Sequence, residues 1–300
     1  MNAVSRILCP IDFSEPSRSA VRYAAAIAAQ AGAALTLLTV NDPLLEEAAD
    51  MAGGSGRLAA DAKAELEKFY RDSLPGIARR PAASFVVATG AAAAEILRHA
   101  KDAADLLVMS SHGATGIRKL FFGSTTERVL RETSVPVLVV PRGDAGPESF
   151  ADIKKIVRRI LVPVDLGAAI EDQVKVAANL AETLDSSLLV VHIIEPVRAF
   201  VPGHAYAANV DSERRGRAEQ QMQALVATLP AERRAEALVM FGEPAEEVTK
   251  IATDRGVGLI VMGLYASALM GSRMGSVTYR VLCVTNAIVL ALPPGTALRV

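Results

Sequence analysis

An α/β fold is what this sequence predicts: two tandem doubly wound, Rossmann-like domains, each a five-stranded parallel sheet with helices on both faces. Three observations carry it. Short apolar, β-branched runs alternate with helical patterns, as in βα units on a sheet covered on both sides. The whole pattern occurs twice. The chain has 300 residues, 51% hydrophobic and 22% charged, which suits two soluble units of ~150 residues with ample core.

The repeat is visible as matched segments. Arg6-Ile7-Leu8-Cys9-Pro10-Ile11-Asp12 returns as Arg159-Ile160-Leu161-Val162-Pro163-Val164-Asp165, 153 positions on. Leu37–Val40 matches Val190–Ile193, and Asp105–Met109 matches Gly258–Met262, at the same offset. Gly123-Ser124 and Val137–Pro141 return as Gly275-Ser276 and Val289–Pro293 at an offset of 152. Residues 1–142 and 158–300 are therefore expected to be the two domains. Residues 143–157, with Gly143, Gly146, Pro147 and several charges, read as the linker.

In the first copy, strands are expected at about Arg6–Ile11, Ala34–Val40, Ser84–Ala88, Asp105–Ser110 and Pro136–Val140. Ser14 is a candidate N-cap for a helix over about Pro16–Ala31, with Pro16 in its first turn and Gly32 at its end. The stretch from Asn41 to Gly56 is expected to be mobile. Further helices are expected at about Leu58–Ser73, Ala92–Lys101 and from Ser124. The second copy is expected to repeat this near Ala169–Leu184, Ser212–Thr228, Pro244–Arg255 and Ser276–Val284. The last strands, Pro136–Val140 and Ile288–Leu292, would be exposed apolar edges unless they cover each other in an internal pseudo-dimer.

Val108–Thr126 is the stretch around which the chain is organised. A buried parallel strand breaks into small residues, Gly113 and Gly116 allow close backbone approach, and Gly123 precedes a helix. Ser124-Thr125-Thr126-Glu127 has the pattern of a capping box, with Ser124 at N-cap and Glu127 at N3. A strand, a glycine-bearing loop and a helix start with free N–H groups can seat phosphates; the same features also describe a plain strand-to-helix connection. In doubly wound sheets ligands lie beyond the carboxyl ends of the strands where strand order reverses. If strands one and four are neighbours, Asp12 faces that crevice. A carboxylate there suits ribose hydroxyls or a divalent cation, or it caps the following turn.

Net charge is −1 with both signs interspersed, so no electrostatic footprint for nucleic acid or a membrane surface is expected. No apolar run approaches the ~18 residues of a membrane span, and the N-terminus lacks a signal-peptide core. Cys9 and Cys283 lie in different halves without metal or redox spacing; they are expected to be buried thiols in a reducing cytoplasm. No metal site and no catalytic residue is expected. His112 has no partner carboxylate at readable spacing and reads as a loop-packing residue. The Gly-x4-Gly-Lys-Ser/Thr phosphate loop and the Gly-x-Ser-x-Gly nucleophile elbow are absent.

Taken together, Pro10-Ile11-Asp12-Phe13-Ser14, Ser110-Ser111-His112-Gly113, Gly123-Ser124 and Val135–Val140 resemble the universal stress protein family, nearly throughout the chain and twice. ATP-binding members of that family carry glycine, two residues, glycine, nine residues, then Gly-Ser or Gly-Thr. Here Ser110 stands for the first glycine; Gly113 and Gly123-Ser124 keep the spacing. The resemblance implies an ATP-binding, non-enzymatic stress-response or regulatory protein, with Mg2+ accompanying the nucleotide and the two halves as an internal pseudo-dimer; two such chains are further expected to assemble as a homodimer in the cytoplasm. It implies that Asp12 contacts ribose or metal, the Val40 backbone reads adenine, and Pro10 and Met109 line the base pocket. Ser110, Gly113, Gly123, Ser124 and Thr125 would hold the phosphates. Arg118 and Lys119 lie in the same loop, as solvated cations or as neighbours of the phosphates.

The second copy departs from the motif. Ala266 replaces the second glycine, the loop is one residue shorter, Val277 replaces Thr125 and Tyr279 replaces Glu127. Its site is expected to bind nucleotide poorly or not at all, with its apolar loop packed against protein. The alternatives to an ATP-binding module are a nucleotide-free dimeric scaffold and a slow ATP hydrolase.

Overall fold

The structure is a computed structural model; it describes residues 2–51, 54, 56–75, 80–112, 123–166, 170–196, 204–230, 235–264, 274–296 and 298–299. In chain order the first copy comprises β1 (Asn2–Ala3), β2 (Arg6–Pro10), α1 (Glu15–Ala31), β3 (Ala34–Asn41), α2 (Pro43–Met51), α3 (Arg57–Ser73), β4 (Ala83–Thr89), α4 (Ala92–Ala103), β5 (Leu106–Ser110), α5 (Ser124–Glu132) and β6 (Val137–Val140). After α6 (Phe150–Ile156), the second copy has β7 (Arg159–Pro163), α7 (Glu171–Leu184), β8 (Ser187–Ile194), α8 (His204–Ala227) and β9 (Ala235–Phe241). It finishes with α9 (Pro244–Asp254), β10 (Leu259–Gly263), α10 (Ser276–Val284), β11 (Ile288–Leu292) and β12 (Leu298–Arg299).

The two five-stranded units form one ten-stranded sheet in the order β4-β3-β2-β5-β6-β11-β10-β7-β8-β9. Every neighbouring pair is parallel except β6 and β11, which run antiparallel with Leu138 opposite Leu290. The two expected edges thus cover each other and no apolar edge is left at the centre. A separate parallel bridge joins the chain ends, Asn2 to Leu298 and Ala3 to Arg299.

Strand alternation divides the core into two layers. Ile7, Cys9, Leu35, Leu37 and Val108 pack on the face covered by α1, α3, α6, α7 and α8. Leu8, Leu38, Leu107 and Met109 pack on the opposite face, under α4, α5, α9 and α10. Burial on both sides explains why the central strands read as unbroken apolar runs.

The N-cap reading of α1 is borne out: the Ser14 side chain accepts from Ser17 N–H, and Gly32 closes the helix at φ 65°. Three local expectations are corrected. Residues 43–51, expected to be mobile, form α2, although none of its residues is buried. The helix α8 begins at His204 rather than near Ser212. The stretch expected as a linker contains α6, with Ile153 and Val157 buried. It is strapped to α1: Tyr23 donates to Asp144 Oδ2 at 3.0 Å, Arg22 donates to the Ala145 carbonyl at 2.8 Å, and Gly146 N–H donates to Asp144 Oδ1 at 2.6 Å. Both cysteines are free; Cys9 is buried as expected, while Cys283 is only half-buried. Among the described residues no helix is long and apolar enough to cross a membrane.

Candidate functional site

Strand order reverses between β2 and β5, which are neighbours as the crevice requires. Their ladder holds only Ile7 with Leu106 and Leu8 with Leu107. In sheets of this kind the ligand crevice lies beyond the carboxyl ends of such a pair.

Asp12 stands at this point. Ile11 N–H still donates to the Leu38 carbonyl at 2.8 Å, and then the chain turns sharply through Phe13, whose φ is +62°. A bulky residue in the left-handed region is strained. The Phe13 ring offsets that by packing edge-on against Phe69, with centroids 5.6 Å apart. The turn sets Asp12 Oδ1 to accept from Ser14 N–H (3.1 Å), Ser14 Oγ (2.5 Å) and Ser17 Oγ (2.5 Å). The carboxylate is therefore oriented by the start of α1, and its side chain is exposed just beyond the carboxyl end of β2.

Ser110 ends β5. Its Oγ donates to the His112 carbonyl at 2.9 Å, and its own carbonyl accepts from Thr126 Oγ1 at 3.1 Å. Gly123 N–H donates to the Ser111 carbonyl at 3.0 Å, which pins the base of the loop between them. Gly113, Arg118 and Lys119 lie outside the described residues. His112 is buried, with Nδ1 2.9 Å from Ser111 Oγ.

The capping box is overturned. Gly123 is the N-cap, at φ −61° and ψ 128°, and Ser124 is the first helical residue. No side chain caps the helix. Glu127 instead pairs with Arg131 at 2.8 Å, one turn on. A glycine N-cap offers no oxygen to the first-turn N–H groups, so the start of α5 keeps those donors and the positive end of its dipole for another acceptor. Ser124 is exposed and Thr125 half-buried there.

Val40 and Met109 lie on the same face of the sheet, Met109 buried and Val40 partly buried against that layer. Pro10 pairs with Leu38, two residues before Val40. Next to Val40, Asn41 accepts Gly90 N–H at its carbonyl (3.1 Å), while its side-chain Nδ2 is buried without a hydrogen-bond partner. Sequence reading gave neither Asn41 nor Phe13 a role: Phe13 was read only within the Pro10–Ser14 segment, and Asn41 only at the start of a stretch expected to be mobile. Among the described residues no group of three or more His, Cys, Asp or Glu could hold a metal ion.

The second copy contains an open crevice of about 520 Å3 at the matching place, bordered by Pro163, Asp165, Ile193, Met262, Gly263 and Ser276. Gly275 is the N-cap of α10, again with no side-chain cap. Both ends of the apolar loop pack inward: Leu264 and Met274 are buried. Residues 265–273 lie outside the described residues.

Known proteins carry the same pattern. The universal stress protein family profile matches residues 3–141 and again residues 157–293. Universal stress protein MJ0577 of Methanocaldococcus jannaschii is 28% identical over 156 residues, covering 46% of this chain and 94% of its own. The crystal structure of a universal stress protein from Archaeoglobus fulgidus superposes with a TM-score of 0.61 at 18% identity, covering 97% of this chain and 96% of that one. A functionally unknown protein, PA1789 of Pseudomonas aeruginosa, superposes with a TM-score of 0.66 at 16% identity, covering 97% and 93%. With both halves matched and β2 beside β5 at the strand-order reversal, this chain belongs to the universal stress protein family, as a tandem two-domain member.

Proposed function

We propose that the chain is an ATP-binding regulatory protein of the stress response, with the nucleotide held mainly by the first copy. The observation that supports it most is the uncapped start of α5, which follows β5, with the Asp12 carboxylate just beyond the end of the neighbouring β2. Backbone donors and a helix dipole suit phosphates. Ser110, Gly113, Gly123, Ser124 and Thr125 hold them; Asp12 takes a ribose hydroxyl or the Mg2+ that travels with the phosphates. Pro10, Val40 and Met109 form the base slot. With no metal-ligating cluster among the described residues, the cation comes with the nucleotide.

The domains run over residues 1–142 and 158–300, and two chains form a homodimer in the cytoplasm. The role is binding and regulation rather than dedicated turnover. Freshly purified protein, denatured and analysed for nucleotide, is expected to release an adenine nucleotide. Gly123→Val is expected to abolish ATP binding without unfolding, because valine readily takes φ −61° and ψ 128°. Empty wild-type protein that also ignores added ATP would favour the scaffold reading. Steady phosphate release would favour a hydrolase.

A further inference from the structure

The ten-stranded sheet ends in β4 on one side and in β9 on the other. An end strand is paired along one side only, and its other side offers backbone donors and acceptors. In β4 the direction of these groups follows from the ladder. Gly90 N–H donates to the Asn41 carbonyl at 3.1 Å, continuing the parallel pairing of Ala83–Thr89 with Leu35–Asn41. Successive residues of a strand point their N–H and C=O to opposite sides, so Ser84, Val86 and Ala88 bond β3. Ala83, Phe85, Val87 and Thr89 turn theirs outward, and among the described residues no backbone group answers them.

The two ends are guarded differently. β9 carries Glu236, paired with Arg255 at 3.5 Å, where β4 has Ser84. Arg215 and Glu219 of α8 line the groove along Ala237–Val239. Charges of this kind keep an edge from recruiting another strand. β4 reads Ala-Ser-Phe-Val-Val-Ala-Thr, seven residues without a charge or a proline. Val87 packs into neither apolar layer. An apolar helix borders the same edge: the Thr89 hydroxyl donates to the Glu46 carboxylate of α2. That helix leaves Leu44, Leu45 and Met51 at 74%, 55% and 80% exposure. Apolar side chains this open beside an unpaired edge mark an interaction surface.

We infer that β4 is the surface through which two copies of this chain join, β4 to β4 and antiparallel, about a twofold axis at Val86. The occupant is a second copy because the edge is complementary to itself. With Val86 on the axis, Phe85 opposes Val87 of the partner subunit and Ala83 opposes Thr89 of the partner subunit. Both pairs bring outward-turned residues together, as the hydrogen-bonded pairs of an antiparallel ladder require. Phenylalanine against valine is a favourable cross-strand pair, and no charge on the strand meets its like. Pairing β4 with β9 would be head-to-tail and would leave an open edge at each end. The β6–β11 seam already joins the two halves antiparallel within one chain; β4 does the same between chains. The inference rests on the homodimer reading above and names the surface that forms it.

The test uses the full chain. Light scattering at micromolar concentration is expected to give the mass of two chains. Val87→Lys brings two lysines diagonally together across the axis; it is expected to raise the dimer's dissociation constant about tenfold or more, with the circular dichroism spectrum unchanged. A second variant needs no loss of binding. Val86→Cys, in a chain carrying Cys283→Ser, sets two thiols opposite each other with Cα atoms about 4.5 Å apart, within reach of a disulfide. Diamide is expected to cross-link most chains through that position, and adding Val87→Lys to abolish the cross-link. A dimer that Val87→Lys leaves intact, or whose Val86→Cys chains stay uncross-linked, overturns the inference while the homodimer reading stands. A single-chain mass for the wild type overturns both.

Discussion

Asp105 and Gly258 occupy matching positions and make the same backbone hydrogen bond, Asp105 N–H to the Arg6 carbonyl at 2.8 Å and Gly258 N–H to the Arg159 carbonyl at 3.1 Å. Their side chains meet opposite needs. Asp105 lies against Arg6 and Ser5. At Gly258 the end of α6 comes so close that an added Cβ would stand 2.1 Å from the Ile156 carbonyl oxygen. The duplicated sheet is the same; what precedes it is not.

Partial burial alone would raise the Asp105 carboxyl, but hydrogen bonds from Arg6 Nη2 and Ser5 outweigh it and bring the pKa from 3.8 to about 2. A depressed folded-state pKa stabilises the native state above about 4, and that contribution is lost as the pH falls toward about 2. Asp105→Asn is expected to cost about 1 kcal/mol at pH 7 after allowance for solvent screening. Urea melts at stepwise lower pH should show the gap to wild type closing between those two values; a gap constant with pH would contradict the ion pair's role.

Gly258→Ala is expected to destabilise by about 2 kcal/mol, because backbone atoms of Ile156 and Val157 cannot yield as a side-chain tip can. Chemical denaturation measures this. A variant as stable as wild type would mean that α6 is not packed against the entry to β10.

Leu290 is 2% exposed and opposes Leu138 across the antiparallel seam. Leu290→Ala should cost about 3 kcal/mol through lost burial and the cavity left behind. Were the two halves folded apart, Leu290 would keep α7 beside it but lose Leu138 and α1, and the loss would be smaller.

Ser124→Asp separates binding from folding. A carboxylate in the first turn of α5 is favourable to the helix dipole, so stability should hold or rise by about 0.5 kcal/mol. The same charge repels phosphates, and ATP affinity should drop by about tenfold or more in calorimetry. Unchanged affinity would place the phosphates elsewhere.

The duplication, the strand and helix types, the meeting of β6 with β11 and the neighbouring of β2 and β5 were legible in the chain. Each rests on local pattern: period-two and unbroken apolar runs, glycine at helix ends, and segments such as Arg6–Asp12 returning intact as Arg159–Asp165. Helix caps were less so. Ser124 carries the residue type of a cap, but Gly123 N–H is drawn to the Ser111 carbonyl, and that bond shifts the helix start by one position. Charge on α2 hid a helix that contributes nothing to the core.

Sequence alone determined the family and the twofold α/β plan, because these depend on short-range periodicity and repeated motifs. Only the tertiary structure decided that both halves share one ten-stranded sheet, that residues 143–157 strap α1 rather than hang free, and that Gln173 holds the carbonyls of Pro163 and Val261 together. These follow from contacts between residues far apart in the chain, as when the Gln173 amide bridges two carbonyls on neighbouring strands. No local pattern records such a meeting, since it exists only once both strands and the helix have been brought together.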